Sequence, residues 1–168
     1  MLNQQYLDYS SAIAEQLNEK GFVLLTDFLT EEVSYETQEH LFRADKHSYT
    51  QAQTPNEVEE AIKKFAEKIG IEVSKTYSRV FSTGDFTLQD TEEPYTGFEF
   101  VYMQAPEWNE AFRGEITYTP VDSQPIIVPI THKGLAIIKR EEEMRSFVKK
   151  ITHYAENNEM TITFAQSR

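Results

Sequence analysis

The stretch YSRVFSTGDFTLQDTEEPYTGFEFVYMQAPEWNEAFRGEITY, residues 77–118, decides the fold. Tyr77, Arg79 and Phe81 alternate with Ser78 and Val80 ahead of a polar turn, Ser82-Thr83-Gly84-Asp85, and Phe86-Thr87-Leu88 resumes the β pattern. Phe98 to Met103 is an almost unbroken apolar and aromatic run, the composition of a strand covered on both faces. After an Arg113-Gly114 turn, Ile116 and Tyr118 alternate with Thr117 and Thr119. Three strands are therefore expected here, with the middle one at the centre of a sheet.

Outward from this stretch, composition bounds the answer. A chain of 168 residues is most simply one domain, 1–168, with enough length for a substantial core. Eleven Phe and nine Tyr suit a β interior and argue against disorder. With no Cys, disulfides, thiolate metal sites and Cys nucleophiles are excluded, which fits a cytoplasmic setting. No apolar run reaches the roughly 20 residues of a membrane helix, and the start lacks the basic, apolar pattern of a signal sequence. A net charge of −12 repels phosphate backbones, so no nucleic-acid partner is expected.

Residues 3–20 read as one amphipathic helix, stopped by Gly21, and Phe22 to Leu25 as a short buried strand. A second helix is expected from about Thr30, with Val33, Thr37 and Leu41 on one face. His40 sits on it, His47 lies in a polar stretch beyond, and residues 44–53 show no clear period and read as a loop. Thr54, Pro55 and Glu57 have the spacing of a capping box ahead of a third helix that carries Val58, Ile62, Phe65 and Ile69. Beyond Tyr118, Pro125 to Pro129 reads as a strand at a sheet edge, because proline cannot donate to a ladder, and this edge is expected either to be covered by the amino-terminal segment or to be used in self-association. Leu135 to Ile138, Phe147 to Ile151 and Thr161 to Phe164 follow as strands. The fold expected is α+β with a mainly β core: a helical flank with one early strand over 1–70, and a jelly roll of eight or so strands over 71–168.

Several of these features together resemble the iron(II) and 2-oxoglutarate-dependent oxygenases, in particular their prolyl-hydroxylase-like branch. They are the Gly84-Asp85 turn, the buried run to Met103, Trp108, the Gly114-Glu115-Ile116 strand start, and the early helix followed by Gly21-Phe22 and Phe28-Leu29. The resemblance implies a double-stranded β-helix, with iron held by a His-x-Asp pair and a later His, and a basic residue gripping 2-oxoglutarate. Carried onto this chain, the first His falls on Gln89 and the Asp on Thr91, or on Asp90 and Glu92 one residue along. The late His falls on Val148 and the basic residue on Glu159 or Met160. None of Gln89, Thr91, Val148 and Met160 is the residue that chemistry needs. Valine cannot coordinate iron, and glutamate repels a carboxylate.

Other sites are open to the sequence. Asp85, Asp90, Glu92 and Glu93 could hold a hard cation, although charged turn residues are usually solvated. Asp90, His132 and His153 could form a relocated metal triad, against the plainer reading of two surface histidines. No Gly-rich phosphate loop or nucleophile elbow is present. The function expected is therefore a catalytically inactive, oxygenase-like module that binds a protein partner or itself, without a cofactor. The alternatives are an active dioxygenase that uses iron(II) and 2-oxoglutarate through unorthodox ligands, and a cupin-like binder of small molecules.

Overall fold

In the computed structural model, which describes residues 1–44, 47–89 and 91–167 (39–44 by backbone alone), two short helices open the chain. They are α1 (Gln4–Asp8) and α2 (Ser10–Lys20), followed by strands β1 (Phe22–Leu25), β2 (Glu36–Ala44) and β3 (His47–Gln53). Helix α3 (Asn56–Lys68) leads into β4 (Val73–Phe81), β5 (Phe86–Thr87), β6 (Gly97–Gln104) and β7 (Ile116–Thr119). The chain ends with β8 (Ile126–Val128), β9 (Gly134–Arg140), β10 (Arg145–Val148) and β11 (Met160–Ser167).

The strands form two antiparallel sheets. The large one runs β1-β9-β6-β11-β4-β3-β2 with β5 attached to β3, and the small one runs β10-β7-β8. This is a jelly roll flanked by helices. Strand β6 lies inside the large sheet because both its faces are apolar. Phe100 and Tyr102 pack with Phe28, Val58, Ile62 and Phe65 on the helical side. Val101 and Met103 pack with Ile116, Tyr118, Val148 and Phe164 in the second cluster, which joins the two sheets. Segment β5 connects them: Val148 donates its N–H to Thr87 Oγ1 at 2.8 Å, while β5 pairs with β3. The turn before it needs Gly84, whose φ of 86° is the left-handed region most side chains avoid.

The structure corrects several expectations. Residues 3–20 form two helices broken at Tyr9. The second helix does not exist: residues 36–44 and 47–53 are a β-hairpin, so the first 70 residues carry three strands and not one. The ladder shifts register between Thr37 and Leu41, and this irregularity hides the period of two. The capping box does not form. Pro55, in extended conformation, is the residue before the helix, and the Thr54 hydroxyl is 2.8 Å from Ser78 Oγ. The α3 stripe is as expected, with Val58, Ile62 and Phe65 fully buried. Strand β8 does lie at the edge of the small sheet. The amino terminus does not cover it, pairing instead with residues 28–30, and Ile127 is 59 % exposed.

Candidate functional site in the barrel interior

The four positions that the resemblance marks for metal and cofactor are scattered by environment. Gln89 follows β5 and is exposed. The Thr91 hydroxyl accepts the Leu88 N–H at 2.9 Å, which closes a surface turn. Val148 and Met160 are buried in the inter-sheet core beside Ile116, Ile151 and Ile162. A neutral amide in solvent, a turn hydroxyl, an isopropyl group and a thioether do not make an iron(II) site, and Met160 cannot pair with a carboxylate. Among the described residues, no group of three or more His, Cys, Asp and Glu side chains could hold a metal ion.

The space is also taken. The cavity among Tyr77, Thr87, Glu99, Arg140, Val148 and Phe164 measures about 20 Å³, room for about one water molecule. A metal with 2-oxoglutarate does not fit the interior as it stands. What fills it is a polar network. Arg140 on β9 and Glu99 on β6 are 4 % and 3 % exposed. One guanidinium nitrogen of Arg140 donates at 3.1 Å to both Glu99 Oε2 and Ser146 Oγ, and the other donates at 2.8 Å to the Met144 carbonyl. Tyr118 donates to the same Glu99 oxygen at 2.5 Å, and Gln166 donates to the other at 3.3 Å. Burial, with the Glu99 carboxylate beside it, pushes the Tyr118 hydroxyl far up, so it stays protonated and donates. Tyr77 and Tyr95 are pushed up for the same reasons in the same order. Because Ser146 and Tyr118 belong to the small sheet and Glu99, Arg140 and Gln166 to the large one, the network ties the two together.

A second ion pair stands beside the first. Arg79 pairs with Glu92, and its guanidinium carbon is 4.2 Å from the Tyr49 ring centre and 4.8 Å from that of Tyr77. Tyr77 in turn stacks on Phe164 at 5.1 Å.

The remaining sequence candidates fall elsewhere. Asp90 lies outside the described residues. His132, on the turn before β9, accepts the Ala105 N–H at Nδ1 (3.0 Å), so Nε2 carries the proton toward Glu32 at 2.8 Å. His153, in a short 3-10 turn, packs against Tyr154. The acidic group is also divided: Asp85 is buried and accepts from Ser48 (2.7 Å) and the Ser82 N–H (2.9 Å), Glu92 is paired with Arg79, and Glu93 is exposed. His47 lies in β3 against Tyr49, and His40 is among the residues whose side chains are not described. Sequence reasoning missed Arg79, Glu99 and Arg140. One signal was available: Glu99 interrupts a run read as covered on both faces, and a carboxylate there requires a buried partner.

No protein-family model matches the sequence, and no curated protein does. Solved structures do match its fold. A prolyl hydroxylase from Trichoplax adhaerens, in complex with a hypoxia inducible factor oxygen degradation domain peptide fragment, aligns over 98% of this chain and 91% of its own, with a TM-score of 0.71 and 13% identity. A Pseudomonas putida prolyl-4-hydroxylase aligns over 95% and 98%, at TM-score 0.68 and 14% identity. An oxidoreductase of the 2-oxoglutarate-Fe(II) oxygenase family from Burkholderia pseudomallei aligns over 94% and 90%, at 0.61 and 16%. The fold is thus that of the iron(II) and 2-oxoglutarate oxygenases, prolyl-hydroxylase-like. At these identities the likeness is one of fold, and the residues decide the rest.

Proposed function

We propose that this chain, residues 1–168 acting as one domain, is a non-catalytic protein of the oxygenase fold that works by binding a protein partner. The observation that carries the reading is the filled interior: Val148 and Met160 stand in apolar core where the resemblance puts a metal ligand and the basic partner of the cofactor, and a buried Glu99–Arg140 pair lies between the sheets. A cavity of about 20 Å³ argues equally against a cupin-like small-molecule binder. Support for a protein partner is indirect, since one structure of the same fold holds a peptide. The cysteine-free composition is compatible with a cytoplasmic setting. No helix among the described residues is long and apolar enough to cross a membrane. Anaerobic titration calorimetry with iron(II), then with 2-oxoglutarate, tests the reading. Neither addition is expected to give a saturable heat. Micromolar binding of both would replace the proposal with the enzyme reading.

A further inference from the structure

We infer that a cleft on β3 and β4 is a carboxylate-binding site for an acidic segment of a protein partner, held in the unbound chain by the carboxylate of Glu92. The inference rests on the protein-binding reading above and names the chemistry of its contact. Lys75, Tyr77 and Arg79 alternate along β4 and so share one face. Gln51 pairs directly with Arg79 in the register of β3 with β4, and Tyr49 lies two residues before it. Together with Glu92 these side chains line a cleft of about 220 Å³. That is about eleven times the volume of the cavity between the sheets, room for a carboxylate side chain with its stem.

The chemistry of the cleft is set by Arg79. Two tyrosine rings flank its guanidinium at 4.2 and 4.8 Å, so the planar fork is held in one orientation and offers its edge to an acceptor. That acceptor is Glu92, which comes from the connection between β5 and β6 and not from the sheet. The Glu92 side chain is 34 % exposed against 12 % for Arg79. The cation is fixed and shielded, while its carboxylate is the outer, replaceable half. An incoming carboxylate exchanges like for like, so Arg79 suffers no unpaired burial when Glu92 leaves. Lys75, whose ammonium is 5.3 Å from the Tyr77 ring centre, adds a second positive charge at the rim. In a chain of net charge −12, two cations on one cleft make a local site and not a general field. A free small acid meets only that repulsive field and one open cleft. A polypeptide segment adds contacts along the strands, and this favours the protein source.

Fluorescence anisotropy with a labelled oligo-glutamate peptide tests the site, with an oligo-glutamine peptide of equal length as control. Glu92→Gln removes the internal competitor and should tighten oligo-glutamate binding about tenfold, with weakening as salt rises. Adding Arg79→Gln to that background should abolish binding, and adding Lys75→Gln should weaken it. Should Arg79→Gln fail to fold, Arg79→Lys keeps the charge without the fork and should lose about tenfold. Oligo-glutamine should not bind, and free glutarate at equal carboxylate concentration should not compete. Unchanged binding in Glu92→Gln, or binding that survives loss of Arg79, overturns the site. Competition by glutarate overturns the protein source in favour of a small acid. A negative peptide result leaves the non-catalytic reading standing, because that reading falls only to saturable iron(II) and 2-oxoglutarate binding.

Discussion

Glu99 and Arg140 are a charged pair in a place where each is costly alone. Their attraction does little more than offset the desolvation of both, so the pair is weak evidence of stability. Removing one member is different, because it strands the other in the interior. Glu99→Ala should destabilise by about 3–5 kcal/mol, while Glu99→Met with Arg140→Met should recover most of that loss. Chemical denaturation midpoints read both. A single-variant change within about 0.5 kcal/mol would mean that the pair is solvated. At this scale the sequence was half legible. Glu99 could be seen as an anomaly in an aromatic run, but its partner lies 41 residues away and is brought near only by the pairing of β6 with β9. Arg140 itself stands inside the charged run Lys139 to Glu143, which hides it in the sequence, and both its neighbours Lys139 and Glu141 are exposed.

Among the elements, β6 was legible because its composition shows both of its faces at once. Phe100 and Ile137, side by side on β6 and β9 and fully buried, face the helices. Replacing either with alanine should cost about 2–5 kcal/mol by thermal or denaturant unfolding, and a neutral result would place them outside the core. The hairpin of β2 and β3 was not legible. Val33, Thr37 and Leu41 stand four apart and imitate a helix, while the register shift between Thr37 and Leu41 breaks the alternation that marks a strand. Pairing of Thr50, Gln51 and Ala52 with Val80, Arg79 and Ser78 decides the matter, and a local reading has no access to it. Strand β8 was placed correctly from its prolines. At three residues it is short for a dimer edge, although Ile127 is exposed. Light scattering should give one monomeric mass for the native chain and for Ile127→Lys. A native dimer that dissociates in the variant would make self-association the function of that edge.

Over the whole molecule, the buried tyrosines set the alkaline limit. Burial raises Tyr35 to about 12, and pushes Tyr49, Tyr77, Tyr95, Tyr102 and Tyr118 up as well. A folded-state value above the unfolded value of 10.0 means stability is full below pH 10 and is lost as pH rises past it toward the folded values. Tyrosinate absorbance from these groups should therefore appear together with loss of the circular dichroism signal. Smooth ionisation of all nine tyrosines in a protein that stays folded would contradict their burial. A barrel filled by its own side chains is expected to take neither metal nor 2-oxoglutarate. The thermal midpoint with and without manganese(II) plus 2-oxoglutarate tests it most directly, because anything that binds only the folded chain must raise that midpoint. Each ligand at a hundred times its dissociation constant would add about 2.7 kcal/mol, or roughly 5–10 °C for a chain of this size. An unchanged midpoint is expected; a rise of that order, requiring both additives, would show that the barrel accepts them.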